Sequence, residues 1–310
     1  MKKVFIDGKA GTTGLRIYER LADRTDIELL TLSDEQRKNP ESRKAMLNAA
    51  DIAFLCLPDD AARESVAMTT NPQTIIIDTS TAHRTNPQWA YGFPELSASH
   101  ESMVRASKRI AVPGCHASGF IALVYPLIES GYLPKTAQLT CHSLTGYSGG
   151  GKKMIAEYEA SDNALLTAPR QYALSQTHKH LPEMKAVCGL EYAPLFCPIV
   201  SNFYSGMEVT VPLFASKLAE GITIDDIKTL YRRHYTGDIV RYTEEADADG
   251  LLSAAAFSGK DSMHLSVFGN EERILLTARY DNLGKGASGA AVEVLNMVLG
   301  VLPTTGLELS

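Results

Sequence analysis

The sequence predicts an α/β protein: a Rossmann-type doubly wound parallel sheet, plus a second α+β domain built on a mixed or antiparallel sheet. Three observations lead there. Up to about residue 112 the chain repeats a strand, turn and helix rhythm, and two of its strands, Asp51–Pro58 and Thr74–Asp78, are continuously apolar, as strands covered on both faces are. A glycine triplet, Gly8, Gly11 and Gly14, separates the first strand from the first helix. Past residue 115 the period changes to two, with a hairpin signal around Gly269-Asn270.

Length and composition frame this. The 310 residues suffice for two domains, placed at 1–115 with 286–310 (cofactor domain) and at 116–285 (substrate-binding, catalytic and dimerisation domain). The chain therefore crosses the boundary twice. Apolar residues make up 45% and charged residues 21%, a soluble globular mixture. A net charge of -6 without a long basic run argues against nucleic acid as a partner. No apolar run approaches the roughly 18 residues of a membrane span, and Met1-Lys-Lys-Val-Phe-Ile reads as a first strand and not a signal peptide, so no membrane is expected and the cytoplasm is the expected compartment. Five cysteines, an odd number without CxxC spacing, argue against a disulfide framework and a zinc site.

In chain order, residues 3–6 form a β run ending at Gly8. Leu15, Ile17, Tyr18 and Leu21 then recur at helical spacing. The turn between them, Gly8 to Gly14 with Thr12 and Thr13, is where backbone N–H groups cradle a pyrophosphate, against the alternative of a plain flexible turn. The second strand, from Ile27, ends at Ser33 and Asp34 with Arg37 behind; an acid there suits the ribose hydroxyl of NAD, whereas a small polar residue and an arginine suit the 2′-phosphate of NADP. The order favours NADP. Asp59-Asp60 opens a helix, as the helix dipole prefers. Pro58, Ser80 and Cys115 fall at the carboxyl ends of strands, where such sheets bind ligands.

The short β run from Arg109 leads through Pro113-Gly114 to Cys115 and an apolar helix over 119–129. A thiol at a strand-to-helix turn gains from the helix dipole as a thiolate; a buried structural cysteine is the competing reading. The loop with Ser80, His83 and Arg84 offers an anion site or an ordinary surface arginine. Gly146-Tyr-Ser-Gly-Gly-Gly-Lys-Lys153 lacks the Ser or Thr of a nucleotide triphosphate loop and reads as a flexible loop, or a linker, whose N–H groups approach an anion. His178 and His180, if extended, point the same way; with no third ligand evident no metal is expected, and a base beside the thiol competes with a surface histidine cluster. Thr223 or Asp225 caps a helix to His234, and the end of the chain is a small-residue turn at 286–290 running into an apolar helix.

Together, Gly8 to Gly14, Asp78-Thr-Ser-Thr-Ala-His-Arg84, Tyr91-Gly-Phe-Pro-Glu-Leu96, Pro113-Gly-Cys115, Thr145-Gly-Tyr-Ser-Gly-Gly150, His178-Lys-His-Leu-Pro-Glu183 and Asp281-Asn-Leu-Gly-Lys-Gly286 resemble the shorter type of the N-acetyl-gamma-glutamyl-phosphate reductase family, within the aspartate-semialdehyde dehydrogenase-like superfamily. The resemblance covers nearly the whole chain, and the order of its motifs is specific. His116 departs from the tyrosine usual in the longer type, and Thr81 and His83 stand where that type has an acidic loop. The resemblance implies NADPH-dependent, reversible reduction of an acyl phosphate, N-acetyl-gamma-glutamyl phosphate, to the semialdehyde and phosphate in arginine biosynthesis. It implies Cys115 as nucleophile, His178 as base with His180 second and Glu183 as orienter, Ser80, Arg84, Gly149 and Gly150 around the substrate anion, and Asn282, Gly284 and Lys285 at the nicotinamide of NADP(H). A homodimer or homotetramer is expected. Two other readings stand beside it: an aspartate-semialdehyde dehydrogenase, or a catalytically inactive NADP-sensing protein.

Overall fold

The structure, a computed structural model, describes all residues except Ser161 and Glu245. In chain order the first elements are β1 (Lys2–Asp7), α1 (Thr12–Leu21), β2 (Ile27–Leu30), α2 (Pro40–Ala49), β3 (Ile52–Leu55), α3 (Asp59–Met68), β4 (Ile75–Asp78), β5 (Ala90–Tyr91), α4 (Ala98–Ala106) and β6 (Arg109–Ala111). There follow α5 (Cys115–Glu129), β7 (Thr140–Gly146), α6 (Gly151–Ala160), β8 (Arg170–Gln171), α7 (Leu181–Cys188), β9 (Leu195–Ser201), β10 (Met207–Phe214), α8 (Ile224–His234), β11 (Val240–Tyr242), β12 (Met263–Gly269), β13 (Arg273–Tyr280) and α9 (Gly289–Leu299). Two compact units result: Met1–Gly114 with Ala287–Leu307, and Cys115–Gly286 with Glu308–Ser310.

The first unit is a six-stranded sheet, order β2-β1-β3-β4-β6-β5, parallel throughout. Successive residues of β1 feed opposite cores, as strand geometry requires. Val4 and Ile6 pack with Ile17 and Leu21 of α1 and with Ala291, Val294 and Leu295 of α9. Phe5 packs with Leu47 of α2 and Ala62 of α3. Strand order reverses at β1, whose neighbours are β2 and β3, so their carboxyl ends form the switch point at which sheets of this kind bind ligands.

The second unit holds a seven-stranded mixed sheet, order β11-β12-β13-β10-β7-β9-β8. In β10, Met207, Val209, Val211 and Leu213 are buried while Phe214 is exposed, and α5 lies against β10 and β13. The alternation covers one face and leaves the other with Leu195, Phe214 and Leu275 outward. Pro126 inside α5 has no N–H for the carbonyl four residues back. That carbonyl, of Ala122, accepts instead from the Tyr235 hydroxyl just past α8, at 2.7 Å. The Tyr231 hydroxyl bonds the next carbonyl, Leu123.

Several local expectations changed. The Gly-rich stretch at 146–153 is ordered: Tyr147–Gly150 is a 3-10 turn running directly into α6. Helix α5 begins at Cys115 itself, four residues earlier than its apolar run. The final glycine-rich turn is a π-helical turn, Gly284–Ser288, ahead of α9. Helices α2, α4, α6 and α7 have little apolar periodicity; α2 and α4 begin at side-chain caps, Asn39 and Ser97. Thr223 caps α8 in a full capping box with Asp226.

Candidate active site

In the first unit the glycine triplet builds a cradle at the switch point. Gly8 has φ +88°, and a Cβ there would lie 2.3 Å from the Cys56 carbonyl oxygen at the end of β3. A Cβ on Gly14 would lie 2.5 Å from the Gly8 carbonyl oxygen, so α1 packs directly on the turn. Gly11 is the N-cap, without a side-chain cap and without an acid in the first turn, so the first-turn N–H groups near Thr12 and Thr13 suit an anion. Beside it runs a cleft of about 580 Å³ lined by Gly8, Lys9, Leu30, Asp34, Arg37 and Lys38, among others. Arg37 pairs with Asp34 at 3.2 Å, and the backbone N–H and hydroxyl of Ser33 form a reciprocal turn with Gln36. Two cations against one acid, already paired, make this end of the cleft fit a 2′-phosphate. Pro58 is the N-cap of α3. The cleft also has a lining residue absent from the sequence reading: Arg43 of α2 forks onto buried Asp7 at the end of β1, at 3.0 and 3.2 Å, and donates to Ser65 at 2.7 Å. No motif marks that pair.

The thiol belongs to the second unit. Cys115, half-buried, is the first residue of α5. Tyr280 of β13 donates its hydroxyl to the Cys115 carbonyl at 2.5 Å and accepts from the Gly119 N–H at 3.0 Å, closing the first turn of the helix. Gly286 presses on the thiol residue: a Cβ there would come 3.1 Å from that of Cys115 and 3.0 Å from the Asp281 carbonyl oxygen. Around His116, the residue after Cys115, are gathered Tyr172, His178, His180 and Phe196. The ring of His178 lies 4.7 Å from His180, 5.7 Å from His116 and 5.1 Å from Phe196. Burial, and secondarily Lys179, pulls the His178 pKa down to about 4. Its Nδ1 accepts from the His180 backbone N–H at 3.2 Å, so the neutral ring carries its proton on Nε2.

The histidine pair is not extended. His180 has helical dihedrals and is the N-cap of α7, so its ring stands nearly perpendicular to that of His178 instead of parallel to it. Among the described residues no group of three His, Cys, Asp or Glu could hold a metal ion. Glu183, in the first turn of α7, is buried. Tyr172 is a residue the sequence does not mark, since it lies in a polar stretch without periodicity, whereas Gly286, one of the small residues expected to allow close approach, meets Cys115.

Other expected ligand groups are tied to their own unit. Ser80 donates its hydroxyl to Asp78 at 2.8 Å, its N–H to the same carboxylate at 2.9 Å, and His83 meets that carboxylate at 2.6 Å. Arg84 is buried, and donates from Nε to the Val112 carbonyl at 2.8 Å and from a terminal nitrogen to that of Thr79 at 2.9 Å. Both residues shape the loop after β4. In the second unit, Asn282 accepts from the Gly206 N–H and donates to Ser148, each at 3.0 Å, bracing the turn that carries Gly149 and Gly150. A Cβ on Gly284 would fall 2.0 Å from the Lys260 carbonyl oxygen. Lys285 is buried.

Comparison with known proteins agrees with this division. Residues 3–103 match the semialdehyde dehydrogenase NAD binding domain, and residues 115–282 the semialdehyde dehydrogenase dimerisation domain. An N-acetyl-gamma-glutamyl-phosphate reductase of Rhizobium etli is 47% identical over 96% of this chain and 98% of its own length. One from Burkholderia ambifaria is 44% identical over 96% of both. Among solved structures, an aspartate semialdehyde dehydrogenase II of Vibrio cholerae superposes with a TM-score of 0.71 over 97% of this chain and 98% of its own, at 15% identity. One from Francisella tularensis gives 0.72 over 96% and 100%, at 14%. At that identity the likeness is one of fold. The sequence relatives go further: the chain belongs to the N-acetyl-gamma-glutamyl-phosphate reductase family, on the semialdehyde dehydrogenase fold.

Proposed function

We propose that this chain reduces N-acetyl-gamma-glutamyl phosphate to N-acetylglutamate 5-semialdehyde and phosphate with NADPH, reversibly, as a step of arginine biosynthesis, through a thioester on Cys115. The observation that carries it is the half-buried thiol at the first residue of α5, followed in the helix by His116, whose ring lies 5.7 Å from those of both His178 and His180. The helix terminus favours negative charge on the sulfur. The thiolate attacks the acyl carbon, forming the C–S bond while the C–O bond to phosphate breaks and phosphate leaves. Gly8, Gly11, Thr12, Thr13 and Gly14, with Ser33, Arg37 and Pro58 along the same strand ends, would hold NADPH, which would supply the hydride to that carbon when bound. The oxygen left negative at that carbon accepts a hydrogen bond from the Nε2–H of His178, and collapse of this alkoxide breaks the C–S bond to release aldehyde and thiolate. In the oxidative direction the thiolate adds to the aldehyde carbon and the same N–H steadies the alkoxide that forms, before hydride leaves that carbon. His180 orients His178 through its backbone N–H, Glu183 orients the first turn of α7, and the main-chain N–H groups of Gly149 and Gly150 receive the substrate anion. Ser80 and Arg84 shape the loop after β4, while Asn282, Gly284 and Lys285 close on the nicotinamide side.

The matched dimerisation domain makes the protein an oligomer-former; we propose a homodimer, or a dimer of dimers, through the uncovered sheet face that presents Phe214 and Leu275. No helix among the described residues is long and apolar enough to cross a membrane. Five free cysteines suit the reducing cytoplasm.

The test is the reverse reaction. With NADP, phosphate and N-acetylglutamate semialdehyde the protein is expected to form NADPH, and to require phosphate. Absence of NADPH formation from folded protein, or equal turnover of aspartate semialdehyde, overturns the assignment.

A further inference from the structure

One ring in the second unit has no role in the chemistry above, yet is bonded at both ends. His116, the residue after Cys115, is buried. Its Nδ1 is 2.7 Å from the Ser143 hydroxyl on β7, and its Nε2 is 2.6 Å from the Tyr172 hydroxyl beyond β8. The edges of His178, His180 and Phe196 surround it at 5.7, 5.7 and 5.3 Å between centroids. Burial, helped by His178 and Lys179, holds its pKa down to about 3, so at neutral pH one nitrogen donates and the other accepts. Hydroxyls do either, so Ser143, His116 and Tyr172 form one proton-ordered chain. Burial, and next the Cys115 charge, push the Tyr172 phenol upward and keep it protonated.

Three pieces of chain meet at this imidazole: the first turn of α5, strand β7, and the segment that runs from Tyr172 to His180.

We propose that His116 is a positioning residue for the thiol chemistry: through Tyr172 it holds the segment carrying His178 and His180 against the first turn of the Cys115 helix. The inference rests on the reading of Cys115 as nucleophile and His178 as the hydrogen-bond donor to the reacting oxygen. It makes Tyr172 the contact by which distance between thiol and imidazole is kept, and Ser143 the group that fixes the ring's orientation.

The experiment compares the parent with Tyr172→Phe, which removes a single oxygen, with His116→Gln and His116→Leu, and with the Tyr172→Phe/His116→Leu double variant. Steady-state kcat and KM are read in the reverse reaction, together with the rate of Cys115 modification by iodoacetamide and the melting temperature. Tyr172→Phe is expected to lower kcat about 10-fold with KM within about twofold and the melting temperature little moved, a split that loss of packing alone does not produce. His116→Leu should lose at least as much, the double variant no more than His116→Leu, and His116→Gln should recover part through its amide. The Cys115 modification rate should change in Tyr172→Phe as well. Parental kcat and alkylation rate in Tyr172→Phe, or losses that add in the double variant, overturn the proposal. An inactive parent would count against the assigned reaction instead, and the alkylation rates would still decide whether the pair acts on the thiol.

Discussion

Cys115 differs from the other cysteines in what surrounds it. Burial pushes the Cys56 thiol up to about 12 and raises those of Cys141 and Cys188 as well. Cys115 is half-buried at a helix start. Iodoacetamide at neutral pH should therefore modify Cys115 before those three, as peptide mass mapping would record. Cys115→Ser is expected to cut turnover by at least about 10³-fold while cofactor binding persists. Gly286→Ala should also slow the reaction, because its Cβ sits 3.1 Å from that of Cys115 and 3.0 Å from a backbone oxygen. Such crowding costs about 1–3 kcal/mol where neighbours cannot yield; unchanged kcat and stability in Gly286→Ala would show that they do.

The elements divide into those that read from their own sequence and those that borrow from neighbours. The unit of β1, turn and α1 reads alone: its glycines, its apolar strand and its amphipathic helix agree. The packing added what each glycine is for. Gly14→Ala would drive α1 off the turn, since the Cβ would lie 2.5 Å from the Gly8 oxygen, so NADP affinity measured by titration should fall while the second unit's thiol still reacts. Helix α8 likewise announces its start, and Thr223→Ala, which breaks its capping box with Asp226, should cost about 1 kcal/mol in denaturant unfolding. Helix α5 does not read alone. Its proline leaves a carbonyl that Tyr235, more than a hundred residues on, satisfies. Its first turn is closed by Tyr280.

At the scale of the whole molecule the buried imidazoles set the response to acid. His116 is held at about 3, and His178 and His264 at about 4, each chiefly by burial. In the unfolded chain they titrate near 6.5, so below that pH the unfolded state binds protons that the folded state refuses. Their contribution to stability is complete above about pH 6.5 and is lost as pH falls towards 4. The denaturant midpoint should drop between pH 7 and pH 4.5; a flat profile would mean that these rings are not held neutral. In the same frame, Leu275→Lys on the open sheet face should shift the sedimentation profile towards monomer, with the fold retained by circular dichroism.

What the sequence determined by itself was whatever its periodicity and ordered motifs encode locally: the doubly wound first unit, the mixed-sheet second unit, the cofactor turn, and the family with its thiol and histidine motifs. Apolar spacing and glycine placement act over neighbouring residues, so they survive in a string. Tertiary structure alone decided which groups meet. It brought Tyr172 to His116, Gly286 to Cys115 and Arg43 to Asp7, set the His178 ring across that of His180, and tied Arg84 to backbone carbonyls. The first three contacts join residues tens to more than a hundred positions apart, and hydrogen bonding and close packing between such residues depend on distances that no local pattern records.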